Sequence, residues 1–258
     1  MKFRIDDTQT RRKFRKYSLE PQIDYITVDH QRPPVRVISM GENDDRAVIF
    51  IHGAPGSSSD FYGYLRKKEL ISKGRLITYD RPGYGYSGLG NPVENISQQA
   101  RILHQLIDIL QLKSVILAGH SYGGPIAAYT ALLNNAVKGI VMIAPAIAPH
   151  KERYFLLGKL TEWSLTRNLV PLPFQVAAFE KKHHKKELQK AASRWNNLSI
   201  PAKVIHGRGD LIVPFGNLRY VKEAFPADLV EAIPVTWGNH FLPWTHRKLI
   251  SRHIASML

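Results

Sequence analysis

The sequence predicts an α/β protein whose sheet is mostly parallel, with helices on both faces. Of its 258 residues, 44% are hydrophobic, which is enough for one sizeable core, so residues 1–258 are expected to form a single domain. From residue 47 onward, short apolar runs alternate with longer segments of helical period, the pattern of repeated strand-helix units. The runs are rich in Val, Ile and Leu without alternation, which is typical of strands covered on both faces.

Six of these runs are predicted to be strands of the parallel sheet. They span residues 47–51, 75–79, 114–118, 137–144, 203–206 and 229–234. Two earlier runs, at 23–28 and 35–40, flank a turn with Pro33 and Pro34 and predict an antiparallel hairpin at the sheet edge. Helices are expected between the strands, at residues 61–73, 95–110, 122–134, 216–224 and 241–257.

The alternation stops between residues 147 and 199. This stretch contains aromatic residues, prolines and a run of helical composition at 180–190, and it predicts a small helical lid inserted between two strands of the sheet. Three of its aromatic side chains are candidates for lining a substrate pocket under the lid: Trp163, Phe174 and Phe179.

The chain is strongly basic, with 36 Lys and Arg against 21 Asp and Glu and a net charge of +15. Residues 1–17 and 151–194 hold most of the excess. Residues 1–20 are interpreted as a basic arm, solvated and partly mobile. The basic lid leads to the hypothesis that the substrate, or the carrier presenting it, is anionic. The alternative is a solvated helix face in a generally basic protein.

Composition also bears on other classes of function. The chain has no cysteine, which excludes disulfide frameworks, thiolate metal sites and cysteine nucleophiles, and no metal or cofactor is expected. The basic arm lacks an aromatic platform and a nucleic-acid-binding motif, so a nucleic-acid partner is not expected. Without a run of 18 apolar residues or an export signal, the sequence predicts a cytoplasmic protein with no transmembrane segment.

The stretch from Gly119 to Gly123 is the most informative motif, because it reads Gly-x-Ser-x-Gly around Ser121. It directly follows an apolar run and directly precedes a helix of small residues, which is the strand-turn-helix setting of a nucleophile elbow. A serine on so sharp a turn leaves no room for Cβ atoms two residues away on either side, which explains the glycines. Ser121 is therefore the candidate nucleophile.

A serine hydroxyl needs a base, and the base needs an acceptor that fixes its tautomer. Asp210 and His240 each follow a predicted strand, and the loops after parallel strands meet at one edge of the sheet. Asp228 precedes its strand and Asp108 lies on a packing helix, so both are weaker candidates. Asp80 lies at the correct edge but precedes the serine, and it is interpreted as holding its Gly-rich loop.

The other histidines and the oxyanion site complete the candidates. His52 and His120 lie beside glycines inside motifs and are interpreted as structural, while His183 and His184 are assigned to a solvated face of the lid helix. A tetrahedral intermediate needs two N–H donors. One is expected from Tyr122, next to the nucleophile at a helix start, where the helix dipole helps. The loop after residues 47–51 is expected to supply the other, through Ala54.

Five ordered motifs make the chain resemble the α/β-hydrolase family from about residue 23 to its C-terminus. They are His-Gly-Ala-Pro-Gly at 52–56, Asp-Arg-Pro-Gly-Tyr-Gly-Tyr-Ser at 80–87, Gly-His-Ser-Tyr-Gly-Gly at 119–124, Gly-Arg-Gly-Asp at 207–210 and Gly-Asn-His-Phe at 238–241. The resemblance implies a mostly parallel eight-stranded sheet with a cap inserted after the sixth strand. It implies these roles: Ser121 as nucleophile, Asp210 as acid, His240 as base, and Ala54 and Tyr122 as oxyanion donors.

The resemblance also narrows the expected chemistry. Epoxide hydrolases and haloalkane dehalogenases of this family carry aspartate where this chain has Ser121. The leading hypothesis is therefore a serine hydrolase that cleaves a small to medium carboxylic ester through a seryl acyl-enzyme. The alternatives use the same residues on another bond, as a carbon-carbon hydrolase, a proline aminopeptidase or a perhydrolase. A non-catalytic binding module on the same fold is the remaining class.

Overall fold

One eight-stranded sheet organises the computed structural model, which describes residues 3–42, 45–151 and 169–258. Its strands are β1 (Gln22–Ile26), β2 (Val35–Met40), β3 (Ala47–Ile51), β4 (Arg75–Tyr79), β5 (Val115–His120), β6 (Val137–Ile143), β7 (Ala202–Gly207) and β8 (Val230–Val235). Their spatial order is β1-β2-β4-β3-β5-β6-β7-β8. β1 pairs antiparallel with β2, and β2 with β4, whereas the other neighbouring pairs are parallel. The predicted fold class is confirmed.

Helices cover both faces of this sheet. In the described residues they are α1 (Asp7–Arg15), α2 (Tyr62–Leu65), α3 (Lys68–Ile71), α4 (Ile96–Ile109), α5 (Gly123–Ala131), α6 (Leu172–Ala192), α7 (Gly216–Ala224), α8 (Leu242–Thr245) and α9 (Arg247–Ala255). Alternate residues of β3 enter opposite hydrophobic clusters: Ile49 packs with residues of α4, α5 and α7, and Phe50 with residues of α1, α2 and α9. None of the described helices is both long and apolar enough to cross a membrane.

The predicted helix at 61–73 is two short helices, α2 and α3. Lys67 separates them with φ −85° and ψ 106°, outside the helical region. Leu65 and Leu70 are both fully buried, although five residues of continuous helix would turn them about 140° apart. The break lets both side chains face the core, which a count of apolar positions could not reveal. The predicted helix at 241–257 is likewise divided at His246 into α8 and α9.

The N-terminal segment differs from the solvated arm that its charge predicts. The Asp6 side chain caps α1 by accepting a hydrogen bond from the Gln9 N–H at 2.7 Å. On the inner face of α1, the Phe14 ring is fully buried and lies edge-on to the Tyr62 ring, 5.1 Å between centroids. The buried Arg36 guanidinium forms an ion pair with the Asp7 carboxylate, with Nη2 and Oδ1 2.7 Å apart. The prediction of a solvated arm is therefore wrong for residues 5–14, because a charge count does not show that Ile5 and Phe14 lie inside the protein.

Replacing Phe14 with alanine is expected to lower the free energy of unfolding by about 3–5 kcal/mol, since the change leaves a cavity in the core. Chemical denaturation followed by fluorescence measures this. Tyr17→Ala is the matched control, because that ring lies just beyond α1 and is 54% exposed, and its loss should cost about 1 kcal/mol or less. Equal effects of the two substitutions would mean that α1 is not packed on the body of the protein.

Candidate active site

Ser121 lies on a tight turn between β5 and α5. Its φ is 53°, in the left-handed region, where a residue with a side chain is strained by about 1–3 kcal/mol. The turn is held by hydrogen bonds from the Ser121 N–H to the Ile143 carbonyl and from the Ala146 N–H to the Ser121 carbonyl, at 3.0 and 3.1 Å. A Cβ on Gly119 would lie 2.3 Å from the Gly123 carbonyl oxygen. The local geometry is thus the strand-turn-helix arrangement that the motif predicts.

Asp210 and His240 are in direct contact at the carboxyl end of the sheet. The His240 Nδ1–H donates to Asp210 Oδ2 at 2.8 Å, while Asp210 Oδ1 accepts from the N–H groups of Ile212 and Val213 at 2.9 and 2.7 Å. Burial alone would raise the pKa of Asp210, but hydrogen bonds from His206 and His240 outweigh it and hold the pKa below its usual range. An ionised carboxylate therefore faces His240 and leaves its Nε2 as the hydrogen-bond acceptor.

His206 is a contact of Asp210 that the sequence analysis did not single out. It lies in β7, four residues before Asp210, and is fully buried. Its Nε2–H donates to the Val213 carbonyl at 3.0 Å and lies 3.4 Å from Asp210 Oδ2. The only signal in the sequence is a histidine at the end of a strand run. Position in a strand does not show that a ring turns toward the carboxylate.

His120, the last residue of β5, packs against His240. Its Nε2–H donates to the His240 carbonyl at 3.0 Å, and the two ring centroids are 4.8 Å apart. Burial, together with nearby His240, lowers the pKa of His120 to about 3. Neutral His120, the residue directly before Ser121, thus connects the start of the serine turn to the backbone of His240. This agrees with the structural role expected for His120.

The loop after β3 lies against the serine turn. A Cβ on Gly53 would be 3.0 Å from the Cβ of Ser121, so a side chain there would require the serine turn to shift by a few tenths of an ångström. Ala54 follows directly, and Tyr122 directly precedes α5 at its N-cap position. The structure therefore brings together the two backbone segments from which the oxyanion donors are expected.

The three aspartates considered as alternatives to Asp210 lie elsewhere in the fold or accept structural hydrogen bonds. Asp80 accepts hydrogen bonds from the N–H groups of Ser58 and Tyr86 at 2.8 and 3.0 Å, so it holds the two loops that flank it. Asp108 is on α4, where it accepts from the Asn134 side chain at 2.9 Å. Asp228 lies in the short turn of helix that precedes β8.

Helix α6 lies between β6 and β7 and is longer than the predicted 180–190 run. His184 is buried: its Nε2–H donates to the Ala146 carbonyl at 2.8 Å, and its ring centroid is 4.6 Å from that of Tyr122. The prediction of a solvated His184 is wrong, although the His183 side chain is 30% exposed. The buried stripe of α6 includes Glu180 and His184, so apolar periodicity could not show which face is inside. Its members are Val176, Glu180, His184, Leu188 and Ala191.

The three aromatic candidates for a pocket have different positions. Phe174 packs edge-on against Phe3, with ring centroids 5.3 Å apart. Phe179 is 39% exposed and contacts the His183 ring. Trp163 lies outside the described residues. The assignment of these residues to a substrate pocket stays a prediction.

The strand order and the turn at Ser121 allow a comparison with known proteins. A family model described as alpha/beta hydrolase fold matches residues 46–166. The chain has the α/β-hydrolase fold. A bacterial membrane phospholipase A of known structure superposes on it with a TM-score of 0.71 at 15% identity, covering 97% of this chain and 89% of that one. At such low identity the superposition bears on the fold alone.

Two relatives of known sequence match parts of this α/β-hydrolase-fold chain. The sn-1-specific diacylglycerol lipase ABHD11 of Danio rerio is 30% identical over 104 residues, which are 40% of this chain and 32% of that protein. The AB hydrolase superfamily protein YisY of Bacillus subtilis is 24% identical over 246 residues, 81% of this chain and 90% of that protein. The match therefore spans about a third of the length of the zebrafish lipase.

Proposed function

We propose that this α/β-hydrolase-fold protein is a serine hydrolase that cleaves a small to medium carboxylic ester through an acyl-enzyme on Ser121. The contact between the Asp210 carboxylate and His240 Nδ1 carries the proposal. It leaves the opposite nitrogen of His240 free of a proton at the edge of the sheet where the strained serine turn begins. The relatives named as lipase and hydrolase support hydrolysis as the reaction class.

Acylation begins with proton transfer. His240 Nε2 accepts the proton of the Ser121 hydroxyl as its oxygen attacks the ester carbonyl, and the Asp210 carboxylate stabilises the imidazolium that forms. The backbone N–H groups of Ala54 and Tyr122 donate to the oxyanion of the tetrahedral intermediate. His240 then protonates the departing alcohol as the carbon-oxygen bond breaks, which leaves the acyl group on Ser121.

Deacylation repeats the sequence with water. His240 accepts a proton from the water as its oxygen attacks the acyl-enzyme, and the same two N–H groups hold the second oxyanion. Return of the proton to Ser121 releases the carboxylic acid. Both halves require a neutral His240, so protonation of this ring stops the cycle.

The proline aminopeptidase alternative needs a carboxylate that can hold a substrate ammonium group. Glu180 is the buried carboxylate on α6, but it is fully occupied. It accepts hydrogen bonds from Arg81, Gln99 and Tyr84 at 2.6, 2.7 and 2.7 Å. Its charge is balanced by the Arg81 guanidinium, so it offers little to a second cation. This disfavours the peptidase alternative for the described part of the chain.

The proposal is tested by labelling and by a substrate series on the same preparation. A fluorophosphonate probe should modify Ser121, located by mass spectrometry of the digested protein, and 4-nitrophenyl esters of increasing acyl length should show an optimum. Asp210 should stay ionised near neutral pH, since its pKa is held below its usual range, so protonation of this carboxylate should not limit activity there. Folded protein that neither labels at Ser121 nor cleaves any ester in the series would contradict the proposal.

A further inference from the structure

Beneath the loop that carries Ala54, the Arg81 side chain is fully buried and paired with Glu180 of α6. We infer that Arg81 and Glu180 are a positioning pair that fixes the direction of the Ala54 N–H and so couples helix α6 to the oxyanion site. This inference rests on the proposed function, because it assigns the pair a role in the reaction proposed for Ser121.

The guanidinium of Arg81 binds the loop after β3 through two backbone carbonyls. Its Nε–H donates to the His52 carbonyl and an Nη2–H to the Gly53 carbonyl, both at 3.0 Å. The Gly53 oxygen also accepts from the Nδ1–H of His52 at 2.8 Å. The backbone N–H of Arg81 in turn donates to Nε2 of that ring at 2.9 Å, which fixes the tautomer. The Arg81 guanidinium and the His52 imidazole thus both donate hydrogen bonds to the Gly53 carbonyl oxygen.

That oxygen belongs to the peptide unit of the proposed donor. The Gly53 carbonyl and the Ala54 N–H share one planar trans peptide, so they point in opposite directions. Anything that holds the carbonyl toward Arg81 therefore holds the N–H away from it. The contact between Gly53 and Ser121 places this peptide at the serine turn. Hydrogen bonds to the carbonyl also polarise the peptide, which strengthens its N–H as a donor.

Glu180 anchors the guanidinium from the other side. Its carboxylate accepts from Arg81 Nη1 at 2.6 Å and Nη2 at 3.1 Å, in the bidentate geometry that arginine favours. Gln99 and Tyr84 donate to the same carboxylate, and both residues of the pair are fully buried. Because a buried cation is costly without its partner, the place of Arg81 depends on where α6 puts Glu180.

The second proposed donor has the same surroundings. The Arg81 guanidinium lies over the Tyr122 ring at 4.8 Å, and His184 of α6 lies 4.6 Å from that ring. Helix α6 therefore contacts the residue that supplies one N–H and, through Arg81, holds the peptide that supplies the other. Movement of α6 would be felt at both donors at once.

The decisive experiment compares stability with turnover in Arg81→Met, Glu180→Gln and the double variant. Each single change leaves one buried charge unpaired and should lower the melting temperature. The double variant has no unpaired charge and keeps an acceptor for Gln99 and Tyr84, so it should recover most of that stability. Its kcat should nevertheless stay about 10- to 100-fold low, with KM changed less than about twofold, because the oxyanion donor is no longer aimed. Wild-type kcat in the stable double variant would overturn the inference.

Two further variants keep the experiment interpretable. Arg81→Lys retains the charge but cannot bind two carbonyls and a carboxylate with one planar group, so kcat should fall even where Arg81→Met fails to fold. Val176→Ala removes two buried methyl groups from α6 one turn before Glu180 and leaves the ion pair, and so the position of Glu180 against Arg81, in place. It should lower the melting temperature while leaving kcat within about twofold of wild type. An equal loss of kcat in Val176→Ala would contradict a role specific to the pair.

A spectroscopic readout separates this inference from the ester hydrolase proposal. The amide resonance of Ala54, followed in protein labelled with ¹⁵N-alanine, should shift in the double variant and not in Val176→Ala. The wild type could cleave no ester while the double variant shows both a shifted Ala54 resonance and a lower rate of fluorophosphonate labelling. In that case the proposed substrate class fails and the positioning role stands. An unchanged Ala54 resonance would overturn the positioning role, whatever the wild type hydrolyses.

Discussion

Replacing Ser121 with alanine is expected to lower kcat for ester hydrolysis by about 10³- to 10⁶-fold and to abolish fluorophosphonate labelling. The hydroxyl is the only group at this turn that the proposed scheme uses to form the acyl-enzyme. Residual turnover should come from the oxyanion donors and substrate binding alone. The melting temperature should hold or rise, since alanine keeps the Cβ and removes one polar atom from a site that is 8% exposed.

Ser251→Ala is the matched control for this loss. Ser251 is a serine of α9 that is 1% exposed, so the same atom is removed from a position that is also buried. Its kcat should stay within about twofold of wild type. Initial rates on the best 4-nitrophenyl ester measure both variants. Ester turnover in Ser121→Ala equal to that of the wild type would exclude Ser121 as the nucleophile.

Changing Asp210 to asparagine is expected to lower kcat by about 10³- to 10⁴-fold with little change in fold. The two backbone N–H groups of Ile212 and Val213 require an acceptor at Oδ1, so the new amide oxygen must occupy that place. The amide NH₂ then faces His240 and donates to Nδ1. This moves the ring proton to Nε2, where it blocks acceptance of the Ser121 proton.

Asp228→Asn is the matched control for Asp210, because it makes the same chemical change in the short turn before β8. It should leave kcat within about twofold of wild type. Steady-state kinetics of the two variants, with KM compared, separates a loss of turnover from a loss of binding. If Asp210→Asn turned over like Asp228→Asn, the acid partner of His240 would have to be another carboxylate.

The sequence alone determined the strand-helix alternation and the order of the candidate residues. The strands at 47–51 and 75–79 were predicted at their observed bounds, because runs of branched apolar residues flanked by turn residues have few other buried arrangements. Asp210 and His240 were placed at the same edge by a topological argument, since loops that follow parallel strands end at one side of a sheet. Their 2.8 Å contact is the geometry that this argument needs.

The tertiary structure decided where polar side chains of α6 and the N-terminal segment lie. Glu180 sits among lysines in the sequence, yet its carboxylate is buried because Arg81, 99 residues earlier, meets it with a charge and a planar pair of donors. Phe14 turns a basic segment into a packed helix for a similar reason. A side chain is buried when a partner in three dimensions compensates the loss of water, and local sequence does not contain that partner.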